Sequence, residues 1–520
     1  MNLWLDAPQL RFLNSNGTNE HDSEWYGDAN SQDCDPDCSS ECSECRLDDS
    51  FRSSISPASI AEGCESLRTH TFEQAKPLHI QPCTSEHWLV CHPTGSGQMA
   101  VVDEHVTSLL DRLRTPTTLH NLIAEHPAYL PGSVEQATMA LYQLGFLNDL
   151  HSPPPLPAEQ RNPTLTAWLH VTNACNLRCD YCYLHKNSER MADDTAYRAI
   201  DAIFRSAARQ QFKRVKLKYA GGEASLQMNH VMAIHDYATR VAQERDISIG
   251  ATLLSNGVFL SQEAINNLQA RQIGVMISLD GVGTYHDRQR PFIGGRGSFK
   301  YVDRTITRLL NSGLIPSISV TVSQRNLDGL TDLITYILER DLPFTFNYYR
   351  DNACSEHLQD LQFGEAQMIA AMRAVFQVIE QRLPRRPLLG SLIDKANLNS
   401  PHRYTCGVGN NYLVIDQHGG VAKCQADIQR TITTIDADDP LQIVRDDRRG
   451  VQGFSVEDKE GCRSCQWRYW CAGGCPLLTY RATGRYDIKS PNCNIYRALF
   501  PNALHLEALR LLQYGSPITV

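Results

Sequence analysis

The sequence predicts an α/β fold built on a partial (β/α)6 TIM-type barrel of parallel strands. Strand-like runs alternate with helical segments six times between residues 165 and 385, which is typical of helices crossing between neighbouring parallel strands. Hydrophobic residues make up 42% and charged residues 21% of the chain, a globular composition that can bury a core. A chain of 520 residues exceeds one ordinary core, so we expect about two to four domains.

The barrel prediction depends on six short apolar runs separated by helical periodicity. The predicted strands are 166–172, 215–220, 247–256, 275–281, 317–323 and 344–349. The clearest helical segments between them are 195–210 and 262–272. In such barrels the chemistry lies at the carboxyl ends of the strands.

Three further regions flank the predicted barrel. Residues 1–76 are acidic and polar without a period, which predicts a mostly disordered tail. Residues 77–150 combine a hairpin (87–92 and 98–103) with three helices, the last with Ala137, Leu141 and Leu144 on one face, and predict a compact winged-helix-like domain. A Pro-rich linker at 151–164 follows, and 386–520 is rich in Cys and Gly and is expected to be ordered by clusters rather than by a large core.

Charge and hydropathy exclude several classes of function. The net charge of −9 argues against binding driven by nucleic-acid phosphates. The first residues lack a basic segment followed by a long apolar run, and no stretch approaches 18 apolar residues. We therefore expect a cytoplasmic protein that binds neither nucleic acid nor membrane.

The chain contains 18 cysteines, and most of them are clustered. In a large chain of a reducing compartment, such clusters indicate metal or iron–sulfur ligation rather than a disulfide framework. The groups are 34, 38, 42 and 45; 175, 179 and 182; and 406, 424, 462, 465, 471, 475 and 493.

The second group has the spacing C-x3-C-x2-C and follows the first predicted barrel strand. Three thiolates on a [4Fe–4S] cluster leave one iron unligated, and a substrate's amino and carboxylate groups can chelate that iron. Tyr181 is placed to shield the cluster, and Asn176 to orient the loop. A zinc knuckle or a chance spacing is the alternative interpretation of Cys175, Cys179 and Cys182.

With this motif the chain resembles the radical S-adenosylmethionine (SAM) superfamily. The resemblance extends to Gly221, Gly222 and Glu223, which match the family's GGE element, where the glutamate receives the SAM amino group. Further cofactor contacts implied by the resemblance are Ser255, Asn256, Ser278 and, more weakly, Arg290. The resemblance implies a 5′-deoxyadenosyl radical that removes hydrogen from an unactivated C–H bond.

The third cysteine group resembles the SPASM domain along its whole length. The resemblance implies two auxiliary [4Fe–4S] clusters, the farther one held by Cys462, Cys465, Cys471 and Cys493. Cys406, Cys424 and Cys475 belong to the nearer one, whose fourth position is either open or completed by a distant group such as Cys354. The preceding segment offers Ser400 and His402 but no cysteine. A zinc ribbon within 462–475 is the alternative interpretation.

Sulfatase-maturing relatives carry an acidic base directly after the second cysteine of this group. Here Gln425 follows Cys424, which argues against that activity without removing it. Asp427 is then the candidate general base.

Residues 77–150 resemble the RiPP recognition element, a winged-helix domain that captures a precursor's leader peptide by adding a strand to a sheet edge. The alternatives are a structural cap or a DNA-binding winged helix, and few basic residues argue against DNA. Cys34, Cys38, Cys42 and Cys45 form either a zinc or cluster site or an unligated tail.

Together these observations predict an enzyme that modifies a ribosomally made precursor peptide, with a flavodoxin- or ferredoxin-type reductant. A carbon–carbon or carbon–heteroatom cross-link is the favoured product. A maturase of a partner protein, of the sulfatase-maturing or quinone-cofactor type, is the alternative within enzymes. A non-catalytic iron–sulfur or zinc scaffold is the alternative from another class.

Overall fold

A computed structural model describes residues 69–151 and 163–515. The predictions for Cys34, Cys38, Cys42 and Cys45, and for most of the Pro-rich linker, lie outside the described residues.

The N-terminal unit contains two small antiparallel sheets and three helices. One sheet has the order β5-β1-β6 and the other β2-β3-β4. Its strands are β1 (Thr71–Gln74), β2 (His79–Pro82), β3 (His87–Cys91), β4 (Met99–Asp103), β5 (Thr117–Thr118) and β6 (Leu147–Asp149), and its helices are α1 (Glu104–Arg112), α2 (Leu119–Glu125) and α3 (Pro131–Gln143).

This unit begins earlier than the sequence predicts. Strand β1 falls inside the segment 1–76, which was expected to be a disordered tail. The end of that segment is ordered because alternate residues of the strand are buried: Phe72 fully and Gln74 nearly so. The ring of Phe72 joins a separate apolar core with Ala137, Leu141 and Leu144, the predicted face of α3. At the ends of the unit, the imidazole of His70 lies 2.7 Å from the buried carboxylate of Asp149.

The central sheet has nine strands, of which six consecutive parallel strands form the predicted barrel. Their order is β12-β11-β10-β9-β8-β7. The strands are β7 (Thr164–Thr172), β8 (Arg214–Gly221), β9 (Ser248–Ser255), β10 (Ile273–Ser278), β11 (Ser317–Val322) and β12 (Phe344–Tyr348). The connecting helices are α4 (Asp193–Arg209), α5 (Met228–Glu244), α6 (Gln262–Ala270), α7 (Thr284–Gln289), α8 (Phe299–Asn311) and α9 (Leu330–Glu339).

The C-terminal region extends this sheet beyond β7. Strand β13 (Tyr412–Ile415) pairs in parallel with β7, and β14 (Gly420–Ala422) and β15 (Thr433–Thr434) follow antiparallel. The remaining helices are α10 (Glu365–Gln381), α11 (Pro440–Asp446), α12 (Arg468–Cys471), α13 (Pro476–Thr483) and α14 (Cys493–Tyr514).

The expectation that this region lacks a large core is wrong. Helix α14 spans 22 residues, and its side chains Leu499, Phe500 and Leu504 are fully buried in the main core. The sequence of α14 shows little helical periodicity of apolar residues. The helix is buried around much of its circumference, and such a helix carries no single apolar stripe.

The N-terminal unit packs on this C-terminal region. The side-chain amide of Gln81 donates to the carbonyl of Pro501 at 3.1 Å, and the ring of His79 meets that of Trp467 with centroids 5.0 Å apart. Strand β2 therefore lies beside α14. Within the described residues, the helices are all too short or too polar to cross a bilayer.

We predict that Phe72→Ala destabilises the N-terminal unit by about 3–5 kcal/mol, the usual cost of removing a buried ring. Hydrogen exchange should accelerate across 69–151 and change little in 163–515. Leu130→Ala is the matched control, because that side chain is 49% exposed. Equal protection in the two variants would contradict the assignment of a separate core.

Candidate active site and cysteine centres

The first cysteine loop begins at the carboxyl end of β7. The backbone N–H of Leu177 lies 3.4 Å from the Cys175 sulfur and orients it. From the end of β9, the amide of Asn256 donates to Oδ1 of Asn176 at 2.7 Å and approaches the Cys175 sulfur at 3.9 Å. The ends of two barrel strands therefore fix the start of the loop.

The rest of the loop is held by a buried polar cluster. The hydroxyl of Tyr181 donates to the carboxylate of Asp280 at 2.6 Å, and the guanidinium of Arg290 bonds the same hydroxyl. Asp280 is fully buried, accepts from the Thr321 N–H at 2.8 Å and lies 3.6 Å from Arg290. Tyr181 is thus locked in place directly before Cys182.

This environment disfavours uncompensated negative charge. Desolvation raises the pKa of the Cys179 thiol to about 12, and Arg290 acts in the opposite direction. Burial likewise raises the pKa of the Asp280 carboxyl. A cluster ligand must be a thiolate, so a metal centre bound to its sulfur is needed to keep Cys179 deprotonated at neutral pH.

Glu223 lies at the end of β8 and is buried. Its Oε1 accepts from the hydroxyl of Ser255 at 2.8 Å, and its Oε2 accepts from the N–H of Asn256 at 2.6 Å. Because an ionised carboxylate has about four acceptor positions, it can still take a hydrogen bond from a ligand's amino group.

The two glycines before Glu223 permit close packing against the cysteine loop. A Cβ atom on Gly221 would lie 2.3 Å from the carbonyl oxygen of Thr172, and one on Gly222 would lie 2.5 Å from that of Ala174. The N–H groups of Gly222 and Glu223 donate to these same carbonyls at 2.6 and 2.8 Å. Side chains here would separate β8 from the loop.

The remaining predicted cofactor contacts fall on the same edge of the sheet. Ser255 and Asn256 close β9, and their polar groups are engaged with Glu223 and Asn176. Ser278 closes β10 beside Ser319 of β11, and Arg290 follows α7.

The four cysteines predicted for the farther auxiliary cluster line one cavity. Cys462, Cys465, Cys471 and Cys493 line it together with Trp467 and Arg468. Burial raises the pKa of the Cys462 thiol to about 11 and that of Cys471 to about 12. The structure thus brings together residues separated by up to 31 positions.

The three cysteines predicted for the nearer cluster pack into a different apolar group. Cys406, Cys424 and Cys475 contact a core that includes Trp168 and Val414. Cys475 also interacts with the charge of Arg350, whose guanidinium holds both oxygens of the buried Asp394 at 2.7 Å. This group belongs to a second centre.

The candidates for the fourth ligand of the nearer auxiliary cluster lie in different places. The sulfur of Cys354 lies 3.7 Å from Nε2 of His185 and interacts with the charge of Cys182, so it is found at the first cysteine loop. His402 approaches the carbonyl of Ser400 at 3.2 Å, and desolvation lowers the pKa of its imidazole to about 4.

The sulfurs of the described cysteines are too far apart for a preformed zinc site. The thirteen described cysteines are free thiols, and no three of their sulfurs lie within 4.8 Å of one another. Tetrahedral zinc with bonds of about 2.3 Å would hold its sulfurs about 3.8 Å apart. Beside each centre a buried arginine Nε has no hydrogen-bond partner among the described residues, and a cluster sulfide can accept from it: Arg290, Arg350 and Arg468.

Asp427, the candidate base, lies in the turn after Cys424. Burial raises the pKa of its carboxyl, and its Oδ2 is 3.3 Å from the guanidinium of Arg430. A raised pKa suits a group that accepts a proton near neutral pH.

Three charged groups of these centres were not predicted from the sequence: Asp280, Arg350 and Lys459. Asp280 stands two residues after the end of β10, and its position at the carboxyl edge of the sheet could have singled it out. Arg350 follows β12 in the same way. Lys459 carries no local signal, because its neighbours come from distant segments.

Comparison with known proteins agrees with this geometry. Residues 169–334 match the model of the Radical SAM superfamily. The chain is 25% identical over 269 residues to the antilisterial bacteriocin subtilosin biosynthesis protein AlbA of Bacillus subtilis, covering 50% of this chain and about half (54%) of AlbA. It is 23% identical over 357 residues to the PqqA peptide cyclase of Bradyrhizobium diazoefficiens, covering 65% of this chain and 87% of that protein.

Among solved structures, the fold resembles native anSMEcpe with bound AdoMet and Cp18Cys peptide. The TM-score is 0.54 at 17% identity, over 68% of this chain and 98% of that one. The parallel sheet and the cysteine loop at its carboxyl edge thus form a radical SAM domain, and the chain is an enzyme.

We predict that Glu223→Gln weakens SAM binding by about tenfold or more, because a charged hydrogen bond contributes about 1.5–3 kcal/mol. Equilibrium dialysis of the reconstituted protein with labelled SAM measures the dissociation constant. Glu263→Gln, on the exposed first turn of α6, is the matched control. An unchanged constant in Glu223→Gln would remove Glu223 from the SAM site.

The cavity of four cysteines makes a second prediction. Replacing Cys462 and Cys465 by Ala should lower the iron content by about four atoms of about twelve per chain, one [4Fe–4S] cluster of three. Cys83→Ala, a buried cysteine outside the arrays, should leave the iron content unchanged. Iron and sulfide analysis gives the numbers, and equal iron in both variants would be evidence against the cluster.

Proposed function

We propose that this enzyme modifies a ribosomally synthesised precursor peptide at an unactivated carbon and forms a carbon–carbon or carbon–heteroatom cross-link. The observation that carries the proposal is the position of strand β2. It is an edge strand of its sheet, and its His79 contacts Trp467, which lines the cavity of the farther auxiliary cysteines. A peptide held along β2 is therefore held beside the part of the chain that carries the farther auxiliary cysteines.

The edge of β2 supports leader-peptide capture by the N-terminal unit. An edge strand presents unpaired backbone N–H and C=O groups, which an extended peptide can pair with. Three of the four residues of β2 are half-buried, so their side chains are partly packed and the strand is held in place. We infer that the unit acts as a RiPP recognition element.

The names of the similar proteins support a peptide substrate in general terms. AlbA is named for bacteriocin biosynthesis, the Bradyrhizobium protein for cyclising the PqqA peptide, and the structural neighbour holds a peptide. Each is similar to this chain over part of this chain's length: 50%, 65% and 68%.

In the proposed reaction the cofactors, when bound, supply a 5′-deoxyadenosyl radical and take up one electron. The chain positions SAM through Glu223 and Asn256 and holds the cysteine loop through Tyr181 and Asp280. Over the whole reaction the substrate loses one hydrogen atom, one proton and one electron, and Asp427 accepts the proton. The N-terminal unit holds the peptide.

We assign the first electron to a flavodoxin- or ferredoxin-type donor and place the enzyme in the cytoplasm. The free state of the described cysteines suits a reducing compartment.

A protein maturase of the sulfatase-maturing type is the second candidate, because the chain is 26% identical over 180 residues to the serine-type anaerobic sulfatase-maturating enzyme of Bacteroides thetaiotaomicron, over 33% of this chain and 42% of that protein. Gln425 stands where that class is expected to carry an acid, and Asp427 lies two residues later. A substrate screen separates the two candidates.

We expect the reconstituted enzyme, with SAM and dithionite, to convert its cognate precursor to a product lighter by two hydrogen atoms. The precursor would be a short open reading frame encoded beside this chain. Tandem mass spectrometry locates the new bond. Removing the leader should lower conversion by about tenfold or more, since β-augmentation supplies the affinity.

A scrambled leader of the same length is the control for nonspecific contacts. Equal conversion with and without the leader would overturn the recognition role of the N-terminal unit. Conversion of a sulfatase cysteine or serine to formylglycine would instead favour the second candidate.

A further inference from the structure

We propose that Lys459 is the shared counter-ion of the two auxiliary cysteine groups and sets the reduction potentials of both clusters together. The inference rests on the auxiliary clusters of the proposed function. It assigns to one side chain a role in tuning both centres.

Lys459 is a buried cation between the two groups. Its side chain is 2% exposed, and its ammonium donates to the carbonyl of Ala472 at 2.8 Å. Cysteines of both groups interact with its charge, and these are Cys462, Cys406, Cys471 and Cys475.

The ammonium has no carboxylate partner among the described residues. Within the described part of the chain, no Asp or Glu oxygen lies within 4 Å of its nitrogen, and both neighbouring acids with ionic partners, Glu457 and Glu460, pair with arginines. A buried charge is strongly destabilising unless an opposite charge lies near it. Anionic thiolate-ligated clusters supply the missing charge.

The backbone around Lys459 is shaped for this position. A Cβ atom on Gly473 would lie 2.5 Å from its Cδ and 2.9 Å from its Nζ, so a side chain at position 473 would displace the lysine from its present position. Gly473 has φ +78°, in the region that favours glycine. The turn of Gly473 connects Cys471 of one group to Cys475 of the other.

Thr405 also binds this turn. Its hydroxyl shares its hydrogen between the carbonyls of Ala472 at 2.9 Å and Gly474 at 2.8 Å, and the residue after Thr405 is Cys406. At the other end, the carbonyl of Lys459 accepts from the N–H of Cys462 at 3.1 Å. Lys459 thus lies where segments of both centres meet.

A fixed positive charge stabilises the reduced form of a cluster, which carries one more negative charge, relative to the oxidised form. The effect is large in a buried site because the surroundings screen it weakly. Because Lys459 interacts with both groups, it should raise both potentials, favouring electron uptake after hydrogen abstraction.

The test is a redox titration of the auxiliary clusters by electron paramagnetic resonance. The background variant has Cys175, Cys179 and Cys182 replaced by Ala, so that only the auxiliary clusters remain in the full chain. We expect Lys459→Met to lower the equilibrium constant for one-electron reduction of both clusters by about tenfold or more, which is about 59 mV or more for one electron.

Two variants control for other effects of the substitution. Lys459→Arg keeps the charge and should restore most of the potential. Lys489→Met removes an exposed charge that interacts with Cys462 and Cys493, both of the farther group, and should shift that cluster slightly. If Lys459→Met assembles too little iron, Lys459→Gln provides the same measurement with a polar side chain.

The outcomes separate this inference from the proposed function. Absence of iron in the background variant would overturn the auxiliary clusters themselves. Two assembled clusters with unchanged potentials in both neutral variants would overturn the role of Lys459 alone. A shift confined to one cluster would contradict its shared character, and a purely structural role would lower iron content without moving either potential.

Discussion

The hydrogen bonds of the buried Glu223 carboxylate connect the barrel to its cysteine loop. Glu223 lies two residues after β8, accepts from Ser255 and Asn256 at the end of β9, and follows two glycines that pack against the backbone at the end of β7. Asn256 then reaches Asn176 and Cys175. Because parallel strands deliver their carboxyl ends to one edge, a few polar residues can fix a loop that has little core of its own.

Charge is distributed over the three cysteine centres in a consistent way. Each centre has a cationic side chain nearby: the buried Arg290 at the first, the half-buried Arg350 at the nearer auxiliary group, and the buried Lys459 beside both auxiliary groups. Arg290 and Arg350 have buried carboxylate neighbours, Asp280 and Asp394, whereas Lys459 has none among the residues that the structure describes. The centres therefore differ in how much of the local positive charge is already neutralised by protein.

Much of the fold is readable from the sequence because its signals are local. The strand predicted at 166–172 is Thr164–Thr172, and the one at 317–323 is Ser317–Val322. Strand β13 has only four residues and pairs with β7 across 246 positions, from Thr166 to Tyr412, so its signal is tertiary. The four cysteines that the resemblance to the SPASM domain groups together line one pocket, whereas Lys459 stands out only once its folded neighbours are seen.

The central claim is that the loop at Cys175 supports radical chemistry on SAM. Its most direct measurement is the 5′-deoxyadenosine formed by the anaerobically reconstituted full chain with SAM and dithionite, beside Cys179→Ala. The account predicts 5′-deoxyadenosine from the native chain and none above background from the variant. A reconstituted native chain with a full complement of iron that forms no 5′-deoxyadenosine would contradict it.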